Sequence, residues 1–570
     1  MRFFLFFVSI TLSTTLASLD INSRSLDGTE LNTTLGLSDK QVGLFNLLDS
    51  LVLSADNGNW PNLYMTNQTG NLDIQRDMTS YRYSLAFSAY ATAAKTLTHL
   101  PAYTRPAFEV VSAAFRALTE ERVWSYWNKK GDCAPFFLTP YCEKHQTSMC
   151  DLNEVWHGKD SIKCPDPAWF GNIMFSAHLA HVGGLVRLLA PSDQAAAAVL
   201  DSFTLGGTDY SYDLLLDRLK FQMSSQADIL GGGITCEPAN VYPSCQSHAH
   251  AALALAGGLD DADLTSNWQR YLLSENLYSQ WNVSDDTTRF GERLFKIAQQ
   301  TPRHPHIPDF GIPIGCASHD VWVLGYMTPW ARDDMGGGPE FREVLRAGRA
   351  TLRNHPGWSD GVLKDSRCAL LAGDENEDIA SAMYAVLEAQ AARGEGGDGD
   401  ETRMREAISR FEREGVVGDD KETYYYSNKF GLDVLVTTQL ATSMVLDSTT
   451  FADLHGRAGA ERMRREGLFV DRVEGKVFVR KAAREGGGVQ VTLVARGEEE
   501  VVEVVLTMKM TKSKTKTKTK MKMEKGDKGR VVVRQDGREI DSWVVTKDGI
   551  ITIEGTLMGD RDSVFEVECS

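Results

Sequence analysis

Apolar residues recur at helical spacing through most of residues 39–450, and this periodicity constrains the fold more than any other feature of the chain. The clearest segments are 80–98, 172–190, 249–257, 341–352 and 379–392. Strand-type alternation is scarce here, and no repeat of fixed length is visible, which argues against a regular solenoid. We therefore expect ten or more helices, joined by loops of uneven length, in a helical toroid.

The pattern changes after the helical part of the chain. From Gly467 onward, short runs of β-branched residues alternate with polar ones and are separated by Gly and Asp turns. These runs lie at 476–480, 489–493, 501–506, 530–534 and 550–553. The sequence thus predicts a helical domain over 18–450 and a small antiparallel β domain over 451–570. Within the latter, residues 509–530 hold nine lysines and are expected to form a solvated loop.

Composition excludes several classes of partner. The chain of 570 residues is 42% hydrophobic and carries a formal net charge of −17. Such a negative charge repels phosphate, so neither nucleic acid nor an anionic membrane surface is an expected partner. No apolar stretch reaches the ~20 residues that a membrane-spanning helix needs. A stable membrane span is therefore not expected.

The first 17 residues have the features of a secretory signal peptide. Arg2 precedes the apolar run 3–12, and a small-x-small pattern ends at Ala17. Glycosylation sequons begin at Asn32, Asn67 and Asn282. We expect cleavage near Ala17 and a glycoprotein in the secretory pathway or outside the cell.

Nine cysteines must be accounted for in that oxidising compartment. Cys133, Cys142, Cys150 and Cys164 lie in turn-rich sequence and are expected to form two structural disulfides among themselves. A zinc site fits less well, because the paired short spacings of such sites are missing. The odd total leaves at least one thiol free or intermolecular.

A glycine- and proline-rich loop leads into an apolar helix and carries two further cysteines. Cys236 and Glu237 lie on this loop, and Cys245 follows near the helix N-terminus, where the helix dipole favours a thiolate. Buried beside a ligand, these groups could transfer protons. The alternative at this point is a structural Cys236–Cys245 disulfide.

Histidines form a second group of candidates. Met174, His178 and His181 share one face of a predicted helix. A single histidine on an apolar face is usually a core residue, and the His178–His181 spacing without a carboxylate is weak support for a metal pair. His248 and His250 point to opposite sides of a helix, so we predict no metal site there.

Four motifs, taken in order, resemble the linalool dehydratase/isomerase family over about residues 40–445. They are Tyr83-Ser-x-Ala-Phe87-x-Ala-Tyr90, Arg122-Val-Trp124-x-x-Trp127, Asn172-Ile-Met-x-x-x-His178-Leu, and Cys236-Glu-Pro with Cys245 nine positions on. The resemblance implies an (α,α)6 barrel with a hydrophobic central pocket, often assembled as a ring of subunits, which leaves a homo-oligomer open. It implies reversible dehydration and isomerisation of an allylic terpene alcohol without a cofactor.

The resemblance also implies roles for individual residues. The catalytic candidates are His178, Cys236, Cys245, Glu237 and Asp49. The substrate-binding candidates are Tyr83, Phe87, Met174, Phe175, Ser318, His319 and Trp322. No metal ligand is among them.

The chain departs from the family pattern in ways that bear on the substrate. The family uses an aspartate and a tyrosine six residues apart, supplied by a neighbouring subunit. Asp49 is the best match and Asp56 the competitor, but neither has a tyrosine six residues later. Ser318 stands near the position of a pocket tyrosine. Linalool itself therefore need not be the substrate.

The sequence thus predicts a cofactor-independent dehydratase/isomerase-like enzyme that acts on an apolar, terpene- or polyketide-like alcohol by acid–base or thiol chemistry. Two other functions stay open. One is a different enzyme on the same barrel, such as a glycoside hydrolase or lyase with Asp320, Asp374 or Glu377 as paired carboxylates. The other is an isoprenoid carrier without catalysis.

Overall fold

A computed structural model describes the greater part of the helical region and most of the strands that follow it. The described residues are 36–60, 81–124, 166–168, 172–225, 233–234, 240–256, 266–268, 297–299, 311–312, 317–327, 339–354, 358–359, 362–363, 375–392, 406, 408–411, 415–417, 424–428, 431–432, 434–445, 454–455, 467–474, 477–485, 488–495, 501–511, 531–540, 542–545, 550–558 and 563–569.

Helices dominate the first three quarters of the chain. They are α1 (Asp39–Asp56), α2 (Tyr81–His99), α3 (Arg105–Leu118), α4 (Glu121–Trp124), α5 (Ile173–Leu189), α6 (Asp193–Leu200), α7 (Tyr212–Ser225), α8 (Pro243–Leu255), α9 (Ala317–Met327), α10 (Pro339–Arg353), α11 (Glu375–Ala392) and α12 (Val434–Val445). Local signals fix several starts. Ser38 and Gln41 form a reciprocal capping box at α1, and Pro243 occupies the first turn of α8, where its missing N–H costs nothing.

Six helices form a closed ring. In order, α2 packs against α5, α5 against α8, α8 against α9, α9 against α11, α11 against α12, and α12 again against α2. Outside this ring, α1 packs on α2 and α12, α3 on α2 and α5, α7 on α5, and α10 on α9. The ring brings side chains from distant parts of the sequence towards one centre.

The inner helices are buried on nearly all sides because they have neighbours on all sides, and their buried residues include polar ones such as Arg82 and Lys95. Almost every residue of α2 from Arg82 to Thr98 is buried, and the same holds for most of α5. Helix α5 contains Gly183, where an added Cβ would lie 2.5 Å from the ring of Tyr212 on α7. Glycine is thus required there by the close approach of the two helices. A Cβ at Gly325 in α9 would meet no described atom within 4 Å.

The remaining elements are strands, and every pair they form is antiparallel. Short strands between the helices are β1 (Phe203–Leu205), β2 (Thr208–Tyr210), β3 (Asn240–Val241), β4 (Ile297–Gln299), β5 (Gly311–Ile312), β6 (Trp358–Ser359), β7 (Val362–Leu363), β8 (Gly415–Val417), β9 (Tyr424–Asn428) and β10 (Gly431–Leu432). After the helices come β11 (Gly467–Glu474), β12 (Val477–Glu485), β13 (Gly488–Ala495), β14 (Val501–Thr511), β15 (Val531–Gln535), β16 (Arg538–Glu539), β17 (Trp543–Val545), β18 (Ile550–Met558) and β19 (Ser563–Cys569).

The later strands form two sheets with the orders β11-β14-β18-β17 and β12-β13-β19-β15-β16. Alternate residues of β13, namely Val489, Val491 and Leu493, are buried, as the period of two along a strand requires. At the β15–β16 hairpin, Asp536 and Gly537 both have positive φ, which suits the twist of a two-residue turn.

The sheets are joined to the helices by backbone hydrogen bonds. Ala102, in the turn between α2 and α3, donates its N–H to the carbonyl of Ala482 and accepts from the N–H of Val470. Leu37, just before α1, donates to the carbonyl of Arg480. The strands thus lie against the side of the ring where α1 begins and α2 ends.

The prediction of a mainly helical chain with small antiparallel sheets is confirmed. All five segments with helical spacing fall on helices, and all five alternating runs fall on strands. Among the described residues, no helix combines the length and apolar character needed to cross a bilayer.

Candidate active site

An aromatic cluster lies between the helices of the ring, and α2 supplies one side of it. Tyr83, Phe87 and Tyr90 are spaced by four and three residues, so they share one face of the helix. All three are buried and lie within 6.5 Å, ring centre to ring centre, of a neighbour in the series. The periodicity that predicts the helix therefore also selects the side that faces inward.

His178 of α5 lies inside this cluster. Its ring centre is 5.4 Å from that of Tyr83, 5.7 Å from that of Phe87 and 6.0 Å from that of Trp322. Trp322, on α9, also packs against Tyr83 and Phe87, each at 5.4 Å. Residues predicted separately on three helices are thus brought together around one imidazole.

Apolar residues of α5 complete this wall. The Tyr83 hydroxyl donates to the sulfur of Met174 at 3.7 Å. Phe175 is completely buried on the same helix. Aromatic and thioether groups thus surround the imidazole, as in the lining of many small-molecule sites.

The two nitrogens of His178 have different surroundings. Nδ1 shares a hydrogen bond with the Tyr90 hydroxyl at 2.7 Å, whereas Nε2 is buried and has no hydrogen-bond partner among the described residues. Burial, together with the nearby Arg82 guanidinium, lowers the pKa of His178 to about 3. The imidazole is therefore neutral near pH 7.

The Arg82 guanidinium and the Cys245 thiol lie close to the hydrogen-bonded pair of His178 and Tyr90. Arg82 is fully buried and its guanidinium carbon stacks 4.5 Å from the centre of the Tyr83 ring. Burial raises the pKa of Tyr90 well above its usual value, with Tyr326 and Cys245 as further causes. Tyr90 therefore keeps its proton, and the Cys245 side chain lies close enough to its hydroxyl to act on it electrostatically.

Cys245 is a buried free thiol, 4% exposed, in the first turn of α8. It precedes His248 by three residues, about one helical turn. The ring of His248 is centred 4.2 Å from that of His178. The thiol and His178 thus lie on neighbouring helices of the ring, Cys245 one turn before His248 and His178 packed against it. The alternative of a Cys236–Cys245 disulfide does not agree with the free thiol.

Asp49 lies elsewhere in the subunit. It is on α1, outside the ring, and accepts hydrogen bonds from Thr92 Oγ1 at 2.9 Å and Lys95 Nζ at 2.8 Å. Thr92 lies on the face of α2 opposite to Tyr83. Within one subunit, Asp49 is therefore not brought to His178. Its competitor Asp56 is paired with Arg116 at 2.5 Å.

Several candidates fall outside what the structure describes. Cys236 and Glu237 lie outside the described residues, as do Cys133, Cys142, Cys150, Cys164 and Asp374. Ser318, His319 and Glu377 lie in helices, but their side chains are outside the description. Asp320, the other carboxylate considered for a glycosidase, is buried on α9.

The site also contains residues that sequence reasoning did not select. His181, His248 and His455 are buried; His248 packs against His178 at 4.2 Å, His455 packs on His181 at 4.8 Å, and Tyr326 packs on His248 at 4.4 Å. For Tyr326 the signal was available, because it follows Trp322 by four residues on one helix. Within the described parts of the chain, no three His, Cys, Asp or Glu side chains are arranged to hold a metal ion.

Comparison with known proteins agrees with the predicted resemblance. Residues 82–336 match the family described as linalool dehydratase/isomerase, which confirms the resemblance over that segment. None of the curated proteins matches the chain. Among solved structures, a GH127 β-L-arabinofuranosidase from Geobacillus stearothermophilus T6 is 11% identical over 95% of this chain and 82% of its own, with a TM-score of 0.35, which does not establish a shared fold.

Proposed function

We propose that this protein is a cofactor-independent dehydratase/isomerase-like enzyme that acts on an apolar alcohol. One observation carries the proposal. Nε2 of His178 is buried among aromatic side chains without a hydrogen-bond partner in the described chain, while Nδ1 is held by Tyr90. A nitrogen held in this way is ready to act on a ligand in the centre of the ring.

The family match supports the enzyme class. It spans residues 82–336, which include every candidate site residue except Asp49. Because the matched segment contains α2, α5, α8 and α9, it covers the helices that build the aromatic cluster. The substrate and the individual roles below are our own inference.

The reaction consumes no net proton. In dehydration, the leaving hydroxyl takes up one proton to become water, and the adjacent carbon loses one. We assign the first proton to the Cys245 thiol and the second to Nε2 of His178, which leaves a thiolate and an imidazolium. Return of the proton from His178 to Cys245 restores both groups.

A weak base is sufficient for this step. The C–H bond next to an allylic cation is strongly acidic, so a histidine with a depressed pKa can take its proton. Burial, together with Arg82, disfavours the imidazolium and favours return of the proton to the thiolate. The buried aromatic wall excludes the water that would otherwise capture the cation.

The substrate class follows from the lining. Tyr83, Phe87, Met174 and Trp322 offer apolar surface beside the imidazole of His178. Such a site suits a terpene- or polyketide-like alcohol. We further infer that the closed ring is the inner layer of an (α,α)6 barrel, because α1, α3, α7 and α10 pack on its outside.

Secretion and assembly are part of the same proposal. The signal-peptide features over residues 1–17 support an extracellular or lumenal enzyme. The family's use of a neighbouring subunit supports a homo-oligomer. Mass spectrometry of the secreted chain tests the first, since its N-terminus should follow Ala17, and analytical ultracentrifugation tests the second.

Heavy-oxygen water tests the chemistry. The purified protein is incubated with a panel of terpene and polyketide alcohols in this solvent, and products are followed by mass spectrometry. We expect loss of the hydroxyl or its exchange with solvent oxygen, and a drop of about 10²–10⁴-fold in His178→Gln and Cys245→Ser.

The matched control is His250→Gln, because His250 is a buried histidine of α8 that packs near Trp268, away from His178. This variant should keep its activity. Full activity in both site variants would overturn the mechanism. Tight binding of the alcohols without turnover would indicate a carrier instead.

A further inference from the structure

Three buried histidines and a tryptophan form a continuous chain of hydrogen bonds beside the site. Trp322 Nε1 donates to His248 Nε2 at 3.0 Å, His248 Nδ1 meets His181 Nδ1 at 3.0 Å, and His181 Nε2 meets His455 Nε2 at 2.7 Å. We call these four residues the histidine chain. The chemistry proposed above uses none of its histidines.

One end of the histidine chain fixes the position of every proton along it. The indole N–H of Trp322 can only donate, so His248 Nε2 accepts and its proton is on Nδ1. His248 Nδ1 then donates to His181 Nδ1, which places the His181 proton on Nε2. That proton is donated to His455 Nε2, so His455 carries its own on Nδ1. Each ring is neutral and has a single tautomer.

The arrangement is not that of a metal site. His181 uses its two ring nitrogens for two different neighbours, and these nitrogens point away from each other. The contacting nitrogens of His181, His248 and His455 therefore do not converge on one point. Their short separations are explained by hydrogen bonds.

The histidine chain also holds Tyr90. The ring of Tyr90 stacks on His181 with centres 4.1 Å apart and on His248 with centres 5.2 Å apart, at interplanar angles of 27° and 15°. The hydroxyl of the same tyrosine binds Nδ1 of His178. The orientation of His178 thus depends on Tyr90, and that of Tyr90 depends on two histidines of the chain.

The last member comes from a different part of the sequence. His455 follows α12 and lies beyond residue 450, where the sequence predicts the β-rich region to begin. Leu454 and His455 are both buried, and His455 packs on His181 with ring centres 4.8 Å apart. A segment outside the closed ring therefore reaches the site.

We propose that His455 is a positioning residue, which through the histidine chain fixes Tyr90 and thereby the orientation of His178. His455 then contributes to the site through His181 and Tyr90, and we assign it no contact with the substrate. This inference rests on the proposed function only for the consequence on turnover. The tautomers and the orientation of His178 are independent of any substrate.

Two substitutions at one position separate positioning from packing. His455→Gln keeps an acceptor near the place of Nε2, whereas His455→Leu keeps similar bulk and removes the acceptor. Nitrogen-15 spectra of the histidines report which ring nitrogen is protonated. We expect all three proteins to show His181 protonated on Nε2, because the Trp322 end of the chain fixes that tautomer. In His455→Leu this N–H has lost its acceptor, so the His181 and His178 signals should shift, whereas His455→Gln should keep them close to those of the parent.

Once an alcohol that the protein turns over is known, kcat for it should be about 10- to 100-fold lower in His455→Leu than in the parent, with KM little changed. His455→Gln should keep most of the parent's kcat. Unchanged His178 and His181 signals in folded His455→Leu would overturn the proposal. If that variant does not fold, His455→Asn keeps a polar side chain but shortens it away from His181, and unchanged His178 and His181 signals there would overturn the proposal equally. His250→Gln should leave all these signals in place.

The nuclear magnetic resonance result stands apart from the proposed function. If no alcohol is turned over but the His178 signal moves in His455→Leu, the proposed function fails and the positioning role is retained. If an alcohol is turned over but the His178 signal does not move in His455→Leu, the proposed function is retained and the positioning role fails.

Discussion

Lowering the pH from about 7 to about 5 should destabilise the fold through its buried neutral histidines. Burial lowers the pKa of His178 to about 3, with Arg82 as a second cause, and burial lowers that of His250 to about 4. In an unfolded chain the pKa of histidine is about 6.5. Below that value the unfolded chain binds protons that the folded one excludes. The stabilisation is therefore complete above about pH 6.5 and is lost as the pH falls towards the folded pKa values.

The size of the effect follows from the interval between these values. A pH of 5 is about 1.5 units below the pKa of a histidine in the unfolded chain, so that histidine is protonated. The buried rings of His178 and His250 are still mostly neutral at this pH. At about 1.36 kcal/mol per unit, each ring costs about 2 kcal/mol of unfolding free energy. Removing one of them should remove that share of the pH dependence.

Urea unfolding followed by far-ultraviolet circular dichroism measures this at several pH values. The pH-dependent loss should be about 2 kcal/mol smaller in His178→Gln than in the parent. Met174→Leu changes a buried neighbour that does not titrate, so it should keep the full loss. If His178→Gln loses as much stability as the parent, His178 is not a buried neutral base and the proposed chemistry loses its basis.

Three further outcomes are expected. Gly183→Ala should lower the unfolding free energy by about 1–3 kcal/mol, because its Cβ would meet the ring of Tyr212 on α7. Gly325→Ala, at an open position, should raise the unfolding free energy by about 0.5–1 kcal/mol. Equal effects of the two substitutions would contradict the close approach at Gly183. A double-mutant cycle of Asp49→Asn and Lys95→Met should give a coupling of about 1 kcal/mol in the unfolding free energy. If Asp49→Asn instead loses turnover without losing stability, that result would support the predicted catalytic role of the aspartate. Cys245 should be alkylated by iodoacetamide much more slowly in the native protein than in denaturant, because only molecules that enter the site reach its buried thiol. Peptide mapping measures both rates, and equal rates would show that the start of α8 is open to solvent.

The inward-facing residues could be predicted wherever one helix carried the whole pattern. Tyr83 and Phe87 share a face by spacing alone, and so do Met174 and His178. The resemblance then placed these pairs in one pocket, and their ring contacts agree with it. The strands after Gly467 were equally visible, because alternation has a period that no helix reproduces.

The histidine chain could not be predicted, because its contacts join distant residues. His181 and His248 are 67 positions apart, and His181 and His455 are 274 apart. The sequence correctly indicates that His248 and His250 face opposite sides of a helix, but it does not say which neighbour each will meet. For Asp49 the sequence indicated the element but not the neighbours. The helical register selected this residue as a catalytic candidate, but in the structure Thr92 and Lys95 hold its carboxylate outside the ring.

Closure of the ring has a consequence for synthesis. Helix α2 ends at His99 and its neighbour α12 begins at Val434, so the N-terminal helices leave the ribosome long before the element that closes the circle. Until then their apolar faces are open at one side, and contacts between distant residues make such folding slow and prone to aggregation. A nascent chain that stops before Val434 lacks α12, the helix that connects α11 to α2, so its ring is incomplete. The ring can close only once translation has passed Val445, the last residue of α12.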